Sequence, residues 1–149
     1  MDSELMPGVL LTPLNRIRVD KGDILHAAKV SDPGIKAFGE AYFSIIRSGE
    51  IKAWKRHRDA TLNLIVPVGE IRFVLYDDRL CSAKQGETFS VILSLENYYR
   101  LTVPPMLWMG FQGVGPESNM LLNIADIPHD PDEADRLDVD CIGYDWTNK

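Results

Sequence analysis

Short apolar runs alternate along the chain with Gly, Pro, Asn and Asp, and what recurs is the pattern of a strand. Ala41 to Arg47 (AYFSIIR) is rich in aromatic and β-branched residues, and Ser48-Gly49 supplies a turn into Glu50 to Arg58, which reads as a first hairpin. Thr61 to Val68 (TLNLIVPV) leads at once into Glu70 to Tyr76 (EIRFVLY), with Gly69 free to take a positive φ between them, which reads as a second. Thr88 to Leu95, Tyr99 to Val103, Leu107 to Gln112 and Asn119 to Ala125 are strand-like in the same way. Asp130 to Leu137 (DPDEADRL) predicts a short acidic helical turn near the C-terminus, with Pro131 at its first position and carboxylates in its first turn. Many short strands in one domain predict an all-β jelly roll, barrel or sandwich.

The 149 residues suit a single domain over 1–149, with 1–38 as an N-terminal arm and first strands. A chain of this length holds a core without disulfides or a structural metal. The 16 Lys and Arg against 22 Asp and Glu give a net charge of −6, which disfavours a nucleic acid polymer or an anionic membrane as partner. An anionic ligand must then be held by a local basic cluster. The acidic start lacks the basic region of a secretory signal, and no apolar run approaches a membrane span. Cys81 and Cys141 stand far apart with no CxxC pair, so a cytoplasmic home is expected.

Glu50 to Arg58 reads EIKAWKRHR and carries the candidate chemistry. Period-2 alternation puts Ile51, Ala53, Lys55 and His57 on one face, and Lys52, Trp54, Arg56 and Arg58 on the other. An ammonium and an imidazole facing a jelly-roll interior are costly unless that face lines a wet pocket. An inverted alternation, or a bulge, would instead leave both on the solvated face.

The run GEAYFSIIRSGEIKAWKRHRDATLNLIVPVGEIRFVLYDDR (Gly39 to Arg79), then SLENYYRLTVPPMLWMGFQG (Ser94 to Gly113) and IGYDW (Ile142 to Trp146), resembles the dTDP-4-dehydrorhamnose 3,5-epimerase family of nucleotide-sugar cupins. The resemblance implies a cupin double-stranded β-helix, usually a homodimer through exchanged strands. It implies inversion of carbons flanking the ketone of a 4-keto-6-deoxyhexose carried on a nucleoside diphosphate. In the family a His takes the α-proton, a carboxylate orients that His, a Lys stabilises the enolate, and a Tyr returns a proton from the opposite face. The chemistry requires this division, because inversion needs a base on one side of the ring and a donor on the other.

Carried over by position, the family's base falls on Lys55, its enolate-stabilising Lys near Leu62, its second pocket His on Met109 and its Tyr near Ile127 or Pro128. The chain stops at Lys149, before the tail that supplies the orienting carboxylate, so a divergent member lacking the usual catalytic residues is expected. The cupin metal frame keeps its spacing at Gly49, Lys55, His57, Leu62 and Gly69 but retains one imidazole, so neither a metal nor another cofactor is expected. In the related sugar 3,4-ketoisomerases a His-Ala-His step carries the acid and base, and Lys55-Arg56-His57 aligns with it.

The reading that follows is a nucleotide-sugar epimerase or isomerase in deoxysugar and surface-polysaccharide biosynthesis, with His57 as base and Lys55 as electrostatic partner. Lys52, Arg56 and Arg58 would hold the diphosphate if a bulge or the dimer mate turns them to the pocket, and Asn63, Asn119 and Asn123 would hydrogen-bond the sugar. Each has a structural alternative: a hydrogen-bonded core His, a solvated charge run, turn-associated Asn. The competing functional reading is a catalytically silent cupin that binds a nucleotide sugar or a partner enzyme. A third keeps only the scaffold, with Trp54, Met106, Trp108 and Met109 plugging the interior. Tyr98 and Tyr99 read as core and surface, the Asp130 to Asp140 run lacks a calcium-loop pattern, and His26 and His129 receive no role.

Overall fold

A computed structural model describes residues 5–147. The first four residues, part of the expected N-terminal arm, lie outside it. Twelve strands form: β1 (Leu10–Pro13), β2 (Arg16–Ile17), β3 (Ile24–Leu25), β4 (Glu40–Arg47), β5 (Ile51–His57), β6 (Leu62–Val68), β7 (Ile71–Tyr76), β8 (Thr88–Leu93), β9 (Tyr99–Val103), β10 (Trp108–Gly113), β11 (Ser118–Ala125) and β12 (Ala134–Arg136). Two five-stranded sheets, ordered β1-β9-β6-β11-β4 and β12-β5-β10-β7-β8, face each other, and β2 and β3 form a small ribbon beside them. The pairing within both large sheets is antiparallel. This is the cupin jelly roll, all-β as the pattern predicted.

Each inner face contributes alternate apolar residues to one core. Leu64, Val66, Leu101 and Leu121 of the first sheet meet Phe73 and Leu75 of the second, all nearly or fully buried. A second cluster lies on the outer face of the other sheet, where Trp54, Val74 and Trp108 are covered by Ile142 and Trp146 of the C-terminal segment. The IGYDW stretch is thus a strap over an apolar sheet face, and Trp54 and Trp108 do not plug the interior.

The eight strands predicted between residues 41 and 125 all form, with ends within two residues of those expected. Their pairing departs from the prediction. β4 and β5 lie in different sheets, as do β6 and β7, so neither expected hairpin forms. The turns at Ser48-Gly49 and Gly69 carry the chain across the sandwich, because both strands of each pair bury an apolar face against the other sheet. Gly69, at φ +78°, is required twice over: a Cβ there would lie 2.2 Å from Asn119 Oδ1.

The predicted helix over Asp130 to Leu137 is also corrected. Asp130 instead closes a turn, its carbonyl accepting from the Glu133 amide and its carboxylate from the Asp132 amide, and Ala134–Arg136 then extend as β12 along β5. The edge of β5 offers unpaired backbone groups, and pairing them outweighs the local preference of three residues. A short 3-10 turn at Val139–Cys141 is the helical element present among the described residues.

Candidate active site

Where the sheets diverge towards their edge strands β4 and β12, they enclose a cavity of about 560 Å³. Its apolar lining comes from Leu62, Leu64 and Leu121 on one side and Met109 and Phe111 on the other. The polar lining comes from Tyr42, Ser44 and Asn123 of the first sheet, and from Lys52, Lys55, His57, Arg136 and Asp138 of the second sheet and the segment after it. A narrow extension shares Tyr42, Lys55, His57 and Leu62 and reaches Glu40 and Glu133.

A bulge in β5 decides which side chains enter. Lys52 pairs with Phe111 and Lys55 with Met109, so Ala53 and Trp54 stand opposite Gly110 alone. Gly110 is what lets the strands approach there, since a Cβ would lie 2.6 Å from that of Ala53 and 3.1 Å from Trp146. The extra residue sends Trp54 to the outer cluster and returns Lys52 to the face of Lys55 and His57, where strict alternation does not place it. Lys52 Nζ lies 5.8 Å from the Phe111 ring centroid and donates to the Ile45 carbonyl at 3.1 Å.

His57 is held by a carboxylate that no sequence pattern indicated. Its Nδ1 lies 2.7 Å from Glu133 Oε1, while Glu133 Oε2 accepts from the amides of Asp59 and Ala60 at 2.8 and 2.9 Å. The pairing of Ala134 with His57 fixes this placement, because it sets Glu133 beside the imidazole across 76 residues of sequence. Burial pushes the Glu133 carboxyl towards protonation, but the hydrogen bonds from His57, Asp59 and Ala60 outweigh it and hold the group below its ordinary range. An ionised Glu133 keeps the proton on Nδ1, which leaves Nε2 as the basic nitrogen. The carboxylate beside the imidazole comes from Glu133, the residue that precedes β12.

Lys55 occupies the same wall. Burial, then the charge of Arg136, lowers its ammonium below the usual lysine range, and the carboxylates of Glu133 and Glu40 oppose this. Among the described residues no ion pair forms on Lys52, Lys55 or Arg136, whereas Arg56 and Arg58 are both tied to Asp135. The main lining therefore presents three cations against one carboxylate, Asp138, while Glu40 and Glu133 flank the extension.

The remaining candidates are scattered. Arg56 lies on the outer face, 4.5 Å over the Trp108 ring, and Arg58 contacts Asp135 and the Asp132 carbonyl, so neither lines the cavity. Asn63 is buried between Arg100, Thr102 and the Gly34 carbonyl, and Asn119 between the Glu70 amide and the Ile46 carbonyl. Only Asn123 of the three lines the cavity, and it donates to Tyr42 Oη at 3.0 Å. Arg136, Tyr42 and Glu133 are the site residues that the sequence did not single out. The four positions carrying the family's usual machinery show Lys55 and Met109 in the cavity wall, Leu62 beside them, and Ile127 and Pro128 in the extension. Among the described residues no three His, Cys, Asp or Glu side chains gather as a metal site would need.

A crystal structure of a dTDP sugar isomerase from Desulfovibrio desulfuricans G20 superposes with a TM-score of 0.93 at 37% identity, over 97% of this chain and 96% of that one. A probable low-salt glycan biosynthesis epimerase of Haloferax volcanii is 32% identical over 111 residues, 71% of each protein. The chain belongs to the dTDP-4-dehydrorhamnose 3,5-epimerase family of nucleotide-sugar cupins. Its fold is shared with the dTDP-4-dehydrorhamnose 3,5-epimerase of Sulfolobus tokodaii, at a TM-score of 0.82 and 22% identity over 95% of this chain and 83% of that one. No family model matches the sequence. At the positions of the family's usual machinery this chain carries other residues, and its cavity wall holds the His57–Glu133 pair instead.

Proposed function

We propose that this protein is a nucleotide-sugar epimerase or isomerase that moves a proton next to the ketone of a dTDP-4-keto-6-deoxyhexose type substrate, in deoxysugar and polysaccharide biosynthesis. The observation that carries the reading is the His57–Glu133 pair at 2.7 Å on the wall of a cavity whose main lining carries three cations against one carboxylate. A structural His needs a partner but not a buried carboxylate, a hollow in front of its second nitrogen and unpaired cations beside it. Names borne by relatives agree with this chemistry: a dTDP sugar isomerase and a glycan biosynthesis epimerase.

In this reading Nε2 of His57 takes the α-proton, and the electrons of the C–H bond pass to the ketone oxygen as an enolate. Lys55 faces that oxygen. Its depressed affinity for its own proton makes it a strong hydrogen-bond donor to a developing oxyanion. Lys52 and Arg136 hold the diphosphate, since both are cavity cations without a carboxylate partner. The reaction draws on no metal or organic cofactor. A homodimer is favoured by the outer face of edge strand β4, where Phe43 and Ile45 are 65% and 56% exposed beside Leu122 and Met120 of β11. No helix among the described residues is long and apolar enough to cross a membrane, and a cytoplasmic location is consistent with the unpaired, exposed Cys81 and Cys141.

The test is to incubate the protein with a dTDP-4-keto-6-deoxyhexose in heavy water and follow deuterium at the α-carbons by NMR. Exchange that disappears in His57→Asn is expected. Binding without exchange would leave a silent cupin, and absence of both would exclude this substrate class.

A further inference from the structure

One wall of the cavity is built by a segment whose far end lies on the other face of the sheet. Arg136, Leu137 and Asp138 line the cavity, whereas Ile142 and Trp146 of the same segment pack on Trp54, Val74 and Trp108 outside it. Two separate sets of bonds hold this segment. At its start, the Glu133 carbonyl accepts from the Arg58 amide at 3.0 Å, and Glu133 Oε2 accepts from the amides of Asp59 and Ala60. Beyond Arg136, every hydrogen bond to the sheet among the described residues goes to Trp54. The Trp54 amide donates to the Leu137 carbonyl at 2.9 Å, its carbonyl accepts from the Leu137 amide at 3.1 Å, and its indole Nε1 donates to the Val139 carbonyl at 3.1 Å.

The Trp54 indole is fixed in turn by the aromatic cluster. Trp54 is buried, and the Trp146 ring lies against it with centroids 5.5 Å apart. Tyr144 closes on Trp146 edge-on at 4.8 Å, and Gly110 beneath leaves room for the Trp146 ring, which a Cβ there would approach to 3.1 Å. Trp146 Nε1 is buried without an acceptor, so this tryptophan serves by the area of its ring and not by a hydrogen bond.

We propose that Trp146 is a positioning residue for the substrate: seated on Trp54 outside the sheet, it holds Leu137 and Val139 to the bulge of β5 and so sets Arg136 and Asp138 into the cavity. This rests on the nucleotide-sugar reading above, in which Arg136 holds the diphosphate. Only the docked segment presents Arg136 to a ligand, so docking and binding are linked. A bound diphosphate draws the segment down, and loosening the segment lowers affinity in proportion to the docked fraction that is lost. His57 and Glu133 are held by the other set of bonds, so the base keeps its geometry when the clamp is weakened.

The experiment follows amide hydrogen exchange, dTDP affinity by calorimetry and the His57 tautomer by 15N–1H correlation in the wild type, Trp146→Ala and Trp146→Phe. In the wild type, saturating dTDP should slow exchange at the Trp54 and Leu137 amides about tenfold or more relative to Phe73 in the central strand β7. Trp146→Ala should quicken exchange at those two amides and weaken dTDP binding, each by at least about tenfold, while Nε2 of His57 stays unprotonated. Trp146→Phe keeps a ring and loses only the unpaired N–H, so it should restore both. Unchanged affinity in Trp146→Ala despite quickened exchange, a lost Nε2 signature, or a Trp146→Phe that binds as poorly as the alanine variant would each overturn the proposal. So would dTDP that protects Trp54 and Leu137 no better than Phe73, a wild-type measurement that stands even where the alanine variant fails to fold. A wild type that does not bind dTDP at all would sink the nucleotide-sugar reading first, a result distinct from binding that ignores Trp146.

Discussion

Replacing Glu133 by Gln tests whether the pair with His57 is chemical or merely architectural. Glu133 Oε2 accepts two backbone amides, from Asp59 and Ala60, and Oε1 faces His57 Nδ1. A glutamine has one oxygen for these two jobs. Turned towards His57, its oxygen would leave the side-chain NH2 against two backbone N–H groups, four hydrogens with no acceptor among them. Turned towards the backbone it satisfies both amides and presents NH2 to the imidazole. The second orientation wins, because an unmet buried donor costs about 1–3 kcal/mol and the first creates two. Nδ1 must then accept, the ring proton moves to Nε2, and the nitrogen facing the cavity ceases to be a base.

A tautomer inversion of this kind costs about 10³ to 10⁴ in kcat/KM, or about 4 to 5.5 kcal/mol of transition-state stabilisation. Long-range 15N–1H correlation of the imidazole gives a readout independent of any substrate: the unprotonated nitrogen is Nε2 in the wild type and Nδ1 in Glu133→Gln. Exchange into a dTDP-4-keto-6-deoxyhexose should fall in parallel. A variant that keeps the Nε2 base, or loses less than about tenfold in rate, would falsify the orientation argument. Acid has the same target. The Glu133 carboxyl is depressed in the folded state, so its contribution to stability is complete above the unfolded value and fades as pH falls through the lower folded one. That part of the acid limb should be missing from Glu133→Gln.

Arg136→Ala should weaken binding of dTDP by about ten- to a hundredfold, measured by calorimetry and steepest at low salt, with a smaller effect on kcat. It should also raise the Lys55 pKa by removing a neighbouring cation, readable from the lysine 15N shift. Asp77 is fully buried, held by Arg79 and Ser82, with its pKa lowered to about 2; its stabilisation should be complete above the unfolded value of 3.8 and disappear as pH falls towards 2 in acid unfolding. Asp77→Asn should cost about 2–3 kcal/mol at pH 7 by urea titration and flatten that limb. Asn119→Ala should destabilise by about 1–3 kcal/mol, because it strips the Glu70 amide of its acceptor, while leaving dTDP affinity unchanged. A large loss of affinity in that variant would restore Asn119 to the substrate.

What the sequence yields follows from how far each cause reaches along the chain. Strand positions depend on neighbours within a few residues, so AYFSIIR, TLNLIVPV and EIRFVLY declare themselves, and the all-β fold with them. Sheet membership does not: the turn at Gly69 suits a hairpin and a crossing equally, and only the competition for partners such as β9, β10 and β11 sends β6 and β7 to opposite sheets. The candidate site divides on the same ground. His57 and Lys55 are legible because their cost in a jelly-roll interior can be judged within one strand. Lys52 is misplaced by alternation because the bulge that redirects it answers to Gly110, a residue on another strand. Glu133 is hidden twice, inside an acidic run that mimics a helix start and behind a pairing that closes over 76 residues. A carboxylate that holds a histidine can therefore come from different places in such a fold without leaving a motif. What constrains it is only that some strand edge next to the base delivers an oxygen to Nδ1, and in this chain β12 does so by adding itself to β5. Position-by-position transfer finds the family's machinery missing, whereas a histidine held by a carboxylate on the cavity wall is visible only in the structure.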